Sequence, residues 1–211
     1  FGGVATAGLV SVWHSILDTE HRQPIIGGLT VEFAERLKRR RGVVTVPGSD
    51  DIYYVLNTEE AKIEFDELVR EARVRPFLHA RFADVALEDG RPVAAVIEDK
   101  SGRRAITARM FIDATGDGDL IARAGLPFEK REDPQPPTTC FIVRGLDAFI
   151  RNRPKFSLGS FLHEGRTLDM PHGFLWSREC TGHPDDVMVA GTRVPGADCS
   201  DADQLTAAEM E

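Results

Sequence analysis

Residues 108–129 read ARMFIDATGDGDLIARAGLPFE, and the class of the chain depends on how they are read. Met110 to Ala114 is an apolar run of strand length, which predicts a strand buried on both faces. Thr115-Gly116-Asp117-Gly118-Asp119 follows at once, and LIARAGL then has helical spacing and stops at Gly125. Strand, glycine turn and helix in that order bring backbone close to a phosphate or sugar. The segment 113–119 admits three readings. A calcium loop matches at Asp113, Asp117 and Gly118, but has Thr115 at the third position and Ala124 where a bidentate Glu should stand. A plain strand-to-helix turn places acidic residues where the helix dipole favours them. A cofactor turn uses Gly116 so that backbone and ligand can touch. The last two stand level on spacing alone.

Upstream, the period of the apolar residues changes. Ala61, Phe65, Leu68, Val69 and Ala72 recur at helical spacing, and Asn57 with Glu60 three residues later matches a helix start. Beyond it VRPFLHARFADVALEDG, RPVAAVIEDKSG and RRAITARMFIDATG alternate with a period of about 2, with Asp89-Gly90 and Ser101-Gly102 as turns. An antiparallel meander is expected there. Earlier still, VEFAERLKRRRG predicts a helix from Thr30, with basic residues in its last turn and Gly42 as its stop. Residues 43–56 read as two extended pieces around a Pro-Gly turn. The first 28 residues read as a tight glycine loop followed by a short helix over Leu9 to Ile16. Within them Phe1-Gly2-Gly3 and Ala5-Thr6-Ala7-Gly8 suit either an ordinary glycine loop, the commoner case, or close packing against a flat ring or a phosphate.

Downstream, residues 127–137 (PFEKREDPQPP) carry four prolines and mark a linker. TTCFIVRGL, GFLWSREC and DVMVAGTRV read as strands of a second, less regular region.

Lys+Arg number 26 against 34 Asp+Glu, a net charge of −8 that argues against a nucleic-acid partner. The basic run Lys38 to Arg41 reads as the solvated end of a helix. No apolar run approaches the roughly 20 residues of a membrane span. Cys140, Cys180 and Cys199 are too few for a disulfide framework and lack the C-x-x-C spacing of a zinc or iron–sulfur site. They read as buried free thiols, and the expected compartment is the cytoplasm. No metal site is expected.

Taken together, FGGVATAG (1–8), GGLTVEFAERL, NTEEAKIEFDELVREA, LHARFADVALEDG (78–90) and the 108–129 signature resemble the FAD-dependent oxidoreductase family of the FLGGxATAG / FIDATGDGDL type. That family is related to the flavoprotein subunit of heterodisulfide reductases. The tail GTRVPGADCSDADQLTAAEME resembles the family more loosely. The implied fold is α/β: an incomplete FAD-binding, Rossmann-like domain of the glutathione-reductase type with an antiparallel meander (1–130), plus part of a β-rich substrate domain (131–211). The G-x-G-x-x-G fingerprint would fall before Phe1 and a later glycine-aspartate segment after Glu211, so an interior piece of a longer flavoprotein is expected.

The resemblance implies FAD as cofactor. Gly2, Gly3, Ala5 and Thr6 would line its pyrophosphate-to-flavin part. Phe82, following a strand Phe77 to Arg81, would offer backbone groups to the adenine edge. Ala114, Thr115 and Gly116 would form the turn against the dinucleotide, with Asp117 capping the next helix. Pro76 and Arg81-Phe82 depart from the family pattern. His14 is the leading acid–base candidate, ahead of His163, His172 and His183, although a structural or surface role is commoner for each.

The expected activity is flavin-mediated hydride or electron transfer on a small-molecule substrate, with a second copy of the chain or a redox partner protein as macromolecular partner. Two alternatives stand beside it: a non-catalytic remnant unable to hold FAD alone, and a flavoprotein subunit of an iron–sulfur electron-transfer complex.

Overall fold

The computed structural model describes residues 1–46, 52–153 and 176–211. They group into two compact units. Phe1–Val74, Gln135–Cys199 and Asp203–Glu211 make the first, and Arg75–Pro134 with Ser200–Ala202 make the second. This grouping does not follow a boundary at 130/131, because the C-terminal strands group with the N-terminal helices.

In the first unit, β1 (Val12–His14), β2 (Val43–Thr45) and β3 (Ile52–Leu56) form an antiparallel sheet in the order β1-β3-β2. The helix expected over Leu9 to Ile16 is therefore corrected to a strand. Val12 and Trp13 favour the extended state, and pairing with Val55 and Tyr54 supplies the hydrogen bonds that a short isolated helix would lack. The strand's period of two sends its neighbours to different cores. Trp13 packs on the cluster of Phe33, Leu37, Tyr54, Leu56 and Ala61, whereas Val12 packs with Met188 and Ala190.

The first of those cores is closed by α1 (Leu29–Arg39) and α2 (Thr58–Glu71), the two helices that the sequence predicts. Phe33 stacks on Phe65 at 4.1 Å and on Trp13 at 5.5 Å between ring centroids. The helices are also tied by charge. Glu64, buried on α2, accepts from Arg36 at 3.3 Å and from Arg40 at 2.7 Å, and Arg36 also reaches Glu32 and Glu71. The basic run is thus only partly a solvated end: Arg40 spends its charge on Glu64, and Lys38 pairs with Glu35.

The end of α1 departs from the expected glycine stop. Arg41, not Gly42, takes the left-handed conformation, at φ 57°. Arg41 N–H donates to Lys38 O at 3.0 Å and Gly42 N–H to Leu37 O at 2.8 Å, the paired bonds of a Schellman ending. Gly42 serves another purpose: a Cβ there would lie 2.9 Å from Glu60 Cβ and 3.2 Å from Leu37 Cδ2.

A second antiparallel sheet of this unit, in the order β7-β9-β8, comprises β7 (Thr138–Arg144), β8 (Trp176–Cys180) and β9 (His183–Arg193), all expected as strands. Central β9 is buried from Asp186 to Ala190. Thr181 Oγ1 donates to Val55 O at 2.9 Å and Asn57 Nδ2 donates to Thr181 O at 2.8 Å, fixing the β8–β9 turn against β3. Helices α4 (Leu146–Arg151) and α5 (Ala202–Met210) complete the order.

The second unit is the expected meander, β4 (Arg81–Glu88), β5 (Arg91–Asp99) and β6 (Gly102–Thr107), with α3 (Asp119–Arg123) against β4. Asp89 and Gly90 both have positive φ, 48° and 74°, as a two-residue hairpin turn of the I′ kind requires. The strand expected at Phe77 to Arg81 instead starts at Arg81. Pro76 lacks a ladder donor, and His79 sits at φ 52°, outside the extended region.

Met110 to Ala114 is a further correction: it forms no strand, and Met110 and Ile112 are 79% and 83% exposed. A strand buried on both faces needs a neighbour on each side, and none of the described strands pairs with this segment.

Candidate functional site

The glycine segment at Phe1–Gly8 is a 3₁₀ turn over Gly3–Ala5, entered through Gly2 in the left-handed region at φ 87°. Thr6 is 2% exposed, and its hydroxyl donates to Phe1 O at 2.8 Å, with Gly3 O also within 3.3 Å. Gly8 N–H donates to Gly3 O and Val10 N–H to Val4 O. The loop's own groups therefore hold it together. Gly2 is required by packing, since a Cβ would stand 2.7 Å from Phe65 Cε2. Gly3 is different: exposed, at φ 39°, with nothing within 4 Å of where a Cβ would be.

The loop at 113–119 is built the same way. Asp113 Oδ1 accepts from Thr115 N and Thr115 Oγ1, and Asp113 Oδ2 accepts from Ile121 N at 2.9 Å. Thr115 Oγ1 accepts in turn from Asp119 N. The start of α3 is thus capped by Asp113 and Thr115 rather than by Asp117, because the chain folds back at Gly116 (φ 101°) and Gly118 (φ 75°) and brings the earlier carboxylate over the helix. The Ile121 and Thr115 N–H groups hold the Asp113 carboxyl below the usual carboxylate range. With both its oxygens committed, Asp113 is not arranged as a calcium ligand. Ala114, Thr115, Gly116 and Asp117 are exposed, and Gly116 faces open space.

The two segments share one kind of construction. Thr6 in one, and Asp113 with Thr115 in the other, hold the loop by hydrogen bonds, and Gly3 and Gly116 leave open space where a Cβ would stand. Such a surface is what a flat ring or a phosphate can approach closely. Gly2, Gly3, Ala5 and Thr6 lie in the first unit, and Phe82 and Ala114 to Asp117 in the second. Phe82 is half-buried on edge strand β4, opposite Ile97, and borders a cleft of about 570 Å³ with Arg81, Asp99 and Arg123. The Asp99 carboxyl is held low by the Ser101 N–H and then by Arg104.

His14 ends β1 and is exposed. His183 opens β9, while His163 and His172 lie outside the described residues. Cys140, Cys180 and Cys199 are free and half-buried. Burial pushes the Cys140 and Cys180 thiols up, and Asp186 adds to the effect at Cys180, so neither is poised as a thiolate. Among the described residues, no group of three or more His, Cys, Asp or Glu could hold a metal ion, and no helix is long and apolar enough to cross a membrane.

One feature of the first unit has no counterpart in the sequence reading. A cavity of about 210 Å³ is lined from four separate segments, by Leu9 and Ser11, Leu56 to Glu59, Ile142 and Arg144, and Cys180 to Met188. Arg144 Nε and Nη2 donate to Asp186 Oδ1 and Oδ2 at 2.8 and 3.0 Å, and this guanidinium holds the Asp186 carboxyl below the usual carboxylate range. The lining runs from Leu9 to Met188, and of its residues the sequence singles out Asn57 as a helix start, His183 as an acid–base candidate and Cys180 as a thiol.

The fold is mixed α/β with antiparallel sheets and two exposed glycine turns. The family model of the FAD dependent oxidoreductases matches residues 1–205, and the chain belongs to that family. FAD is the family's cofactor. Comparison with curated proteins and with solved structures gives no match.

Proposed function

We propose that this chain forms part of the flavin site of an FAD-dependent oxidoreductase that moves a hydride or electron pairs to or from a small-molecule substrate. The observation that carries the reading is the family match over residues 1–205. When bound, the flavin supplies the redox chemistry. The chain's own residues bind and orient. Gly2, Gly3, Ala5 and Thr6 line the pyrophosphate-to-flavin part, Phe82 offers backbone groups to the adenine edge, and Ala114, Thr115, Gly116 and Asp117 face the dinucleotide. The open backbone at Gly3 and Gly116 supports this assignment. His14 is the acid–base candidate, and the setting is the cytoplasm, with a second copy or a redox protein as partner. The protein purified from its uninterrupted gene should be yellow and release FAD on denaturation. A folded, colourless and flavin-free protein overturns the proposal.

A second reading is favoured by the unpaired, exposed segment Met110 to Ala114. On it the 211-residue chain is a non-catalytic remnant of a Rossmann-like domain and binds FAD weakly by itself. Stoichiometric FAD uptake by this chain, followed by flavin fluorescence quenching, refutes that reading. A role like that of the heterodisulfide reductase flavoprotein subunit would add a cluster, and iron analysis of the full protein tests it.

A further inference from the structure

We propose that the cavity between β1, the start of α2 and the β7-β9-β8 sheet binds a small amphipathic carboxylate whose other end carries a neutral hydroxyl or carbonyl. Ser11 is 4% exposed, lines this cavity, and has a buried hydroxyl with no hydrogen-bond partner. Its backbone is fully used: the N–H donates to Leu9 O and the C=O accepts from Leu56 N, each at 2.8 Å. The side chain is therefore held in place with its hydrogen-bonding capacity unspent. Buried polar atoms are seldom left so, and those that are call for an explanation.

Thr58, Cys180 and His183 also line the cavity, and two of its other polar groups, Asn57 and Thr181, are spoken for. Asn57 Oδ1 accepts from Glu59 N and Glu60 N, its Nδ2 donates to Thr181 O, and Thr181 Oγ1 donates to Val55 O. Leu9, Leu56 and Met188 make the wall between Ser11 and the rim apolar. At the rim, Arg144 spends Nε and Nη2 on Asp186, which leaves its Nη1 edge to donate outward from a side chain that is 81% exposed. Both Asp186 oxygens are taken by Arg144, and Glu59 is paired with Lys62 at 2.7 Å, so the unspent edge of the Arg144 guanidinium is the cationic donor left at the rim.

The complementary ligand follows from these positions. A carboxylate belongs at the Arg144 edge, where water still solvates it. A buried charge at Ser11 would lack a counter-ion, so the inner group is neutral. The volume of 210 Å³ holds about seven waters at about 30 Å³ each, room for a chain of about six carbons. The inference stands on the cavity alone and does not depend on the flavin reading.

The test is an NMR titration of the 211-residue chain, without and with added FAD, using ω-hydroxyhexanoate, hexanoate and hexanediol as probes. ω-Hydroxyhexanoate should bind tightest. Ser11→Ala should weaken it about five- to tenfold, the worth of one hydrogen bond, and leave hexanoate unchanged. The double variant Arg144→Gln/Asp186→Asn, which keeps a neutral hydrogen-bonding pair, should bring ω-hydroxyhexanoate level with the diol. Equal binding of all three probes, no binding of any, or indifference to Ser11→Ala overturns the proposal, the last because it would mean the hydroxyl only holds water. A chain that ranks the probes as expected yet takes up no FAD leaves this inference standing, while the flavin reading falls only with a flavin-free protein from the uninterrupted gene.

Discussion

The end of α1 offers a test in which two adjacent residues should respond with opposite signs. Arg41 sits at φ 57°, where a non-glycine residue pays roughly 1–2 kcal/mol, and its side chain is exposed. Arg41→Gly removes that strain but loosens the unfolded chain by about 0.5–1 kcal/mol, for a net gain between about 0 and about 1.5 kcal/mol. Gly42→Ala should cost more than it could gain, because the new Cβ would stand 2.9 Å from Glu60 Cβ, an atom fixed to the α2 backbone and unable to swing away. Overpacking of this kind costs typically about 1–3 kcal/mol. For a chain of this size each kcal/mol moves the melting point by about 2–4 °C. Arg41→Gly should therefore raise it by up to a few degrees and Gly42→Ala lower it by about 2–12 °C. Thermal and urea unfolding, followed by the fluorescence of Trp13 stacked on Phe33, read both. A cycle with Glu60→Gly isolates the clash: most of the Gly42→Ala penalty should go in the double variant, leaving the part due to Leu37 Cδ2 at 3.2 Å. If Arg41→Gly is destabilising, or if the Gly42→Ala penalty is undiminished without the Glu60 Cβ, the reasoning fails.

Other expectations concern the capping groups and the open segment. Asn57→Ala should cost about 1–2 kcal/mol for the lost helix cap, with a further loss at Thr181 O; Asn57→Asp should keep the cap and lose only the second part, a difference that urea midpoints resolve. Ile112→Ser should change stability by no more than about 0.5 kcal/mol, since the side chain is 83% exposed; a loss of about 2–5 kcal/mol would mean that the segment is buried after all. Asp113 has a lowered folded pKa, so its contribution is present above the unfolded value of about 3.9 and is lost as pH falls through the lower folded value. The Thr115 and Ile121 amide signals should titrate together below about pH 3.9, and a midpoint at or above it contradicts the cap.

Elements with a local signature were legible in the sequence. The apolar spacing of α2, the alternation of β4, β5 and β6, and the Asp89-Gly90 turn all rest on interactions within a few residues, and each is present, with β4 starting at Arg81 rather than at Phe77. Leu9 to Ile16 was misread because a short apolar run fits a helix or a strand equally well, and only β3, about 40 residues on, decides between them. Met110 to Ala114 failed for the converse reason. Its composition says that it could be buried on both faces, but burial depends on neighbours that its own sequence does not supply.

The same division runs through the site. Glycine content alone marked 1–8 and 113–119 as tight turns, because only residues without a Cβ tolerate those dihedral angles or approaches. Tertiary structure decided what each glycine is for: Gly2 for the Phe65 ring, Gly42 for Glu60, Gly3 and Gly116 for open space. It also decided that Asp113, not Asp117, caps α3, and that Ser11, Arg144 and Asp186 share one cavity. The sequence by itself determined which segments could be helix, strand or turn, since those preferences are set by short-range sterics and periodicity. Which side chains meet was settled by packing between separate segments, in the cavity more than a hundred residues apart, where no local preference reaches.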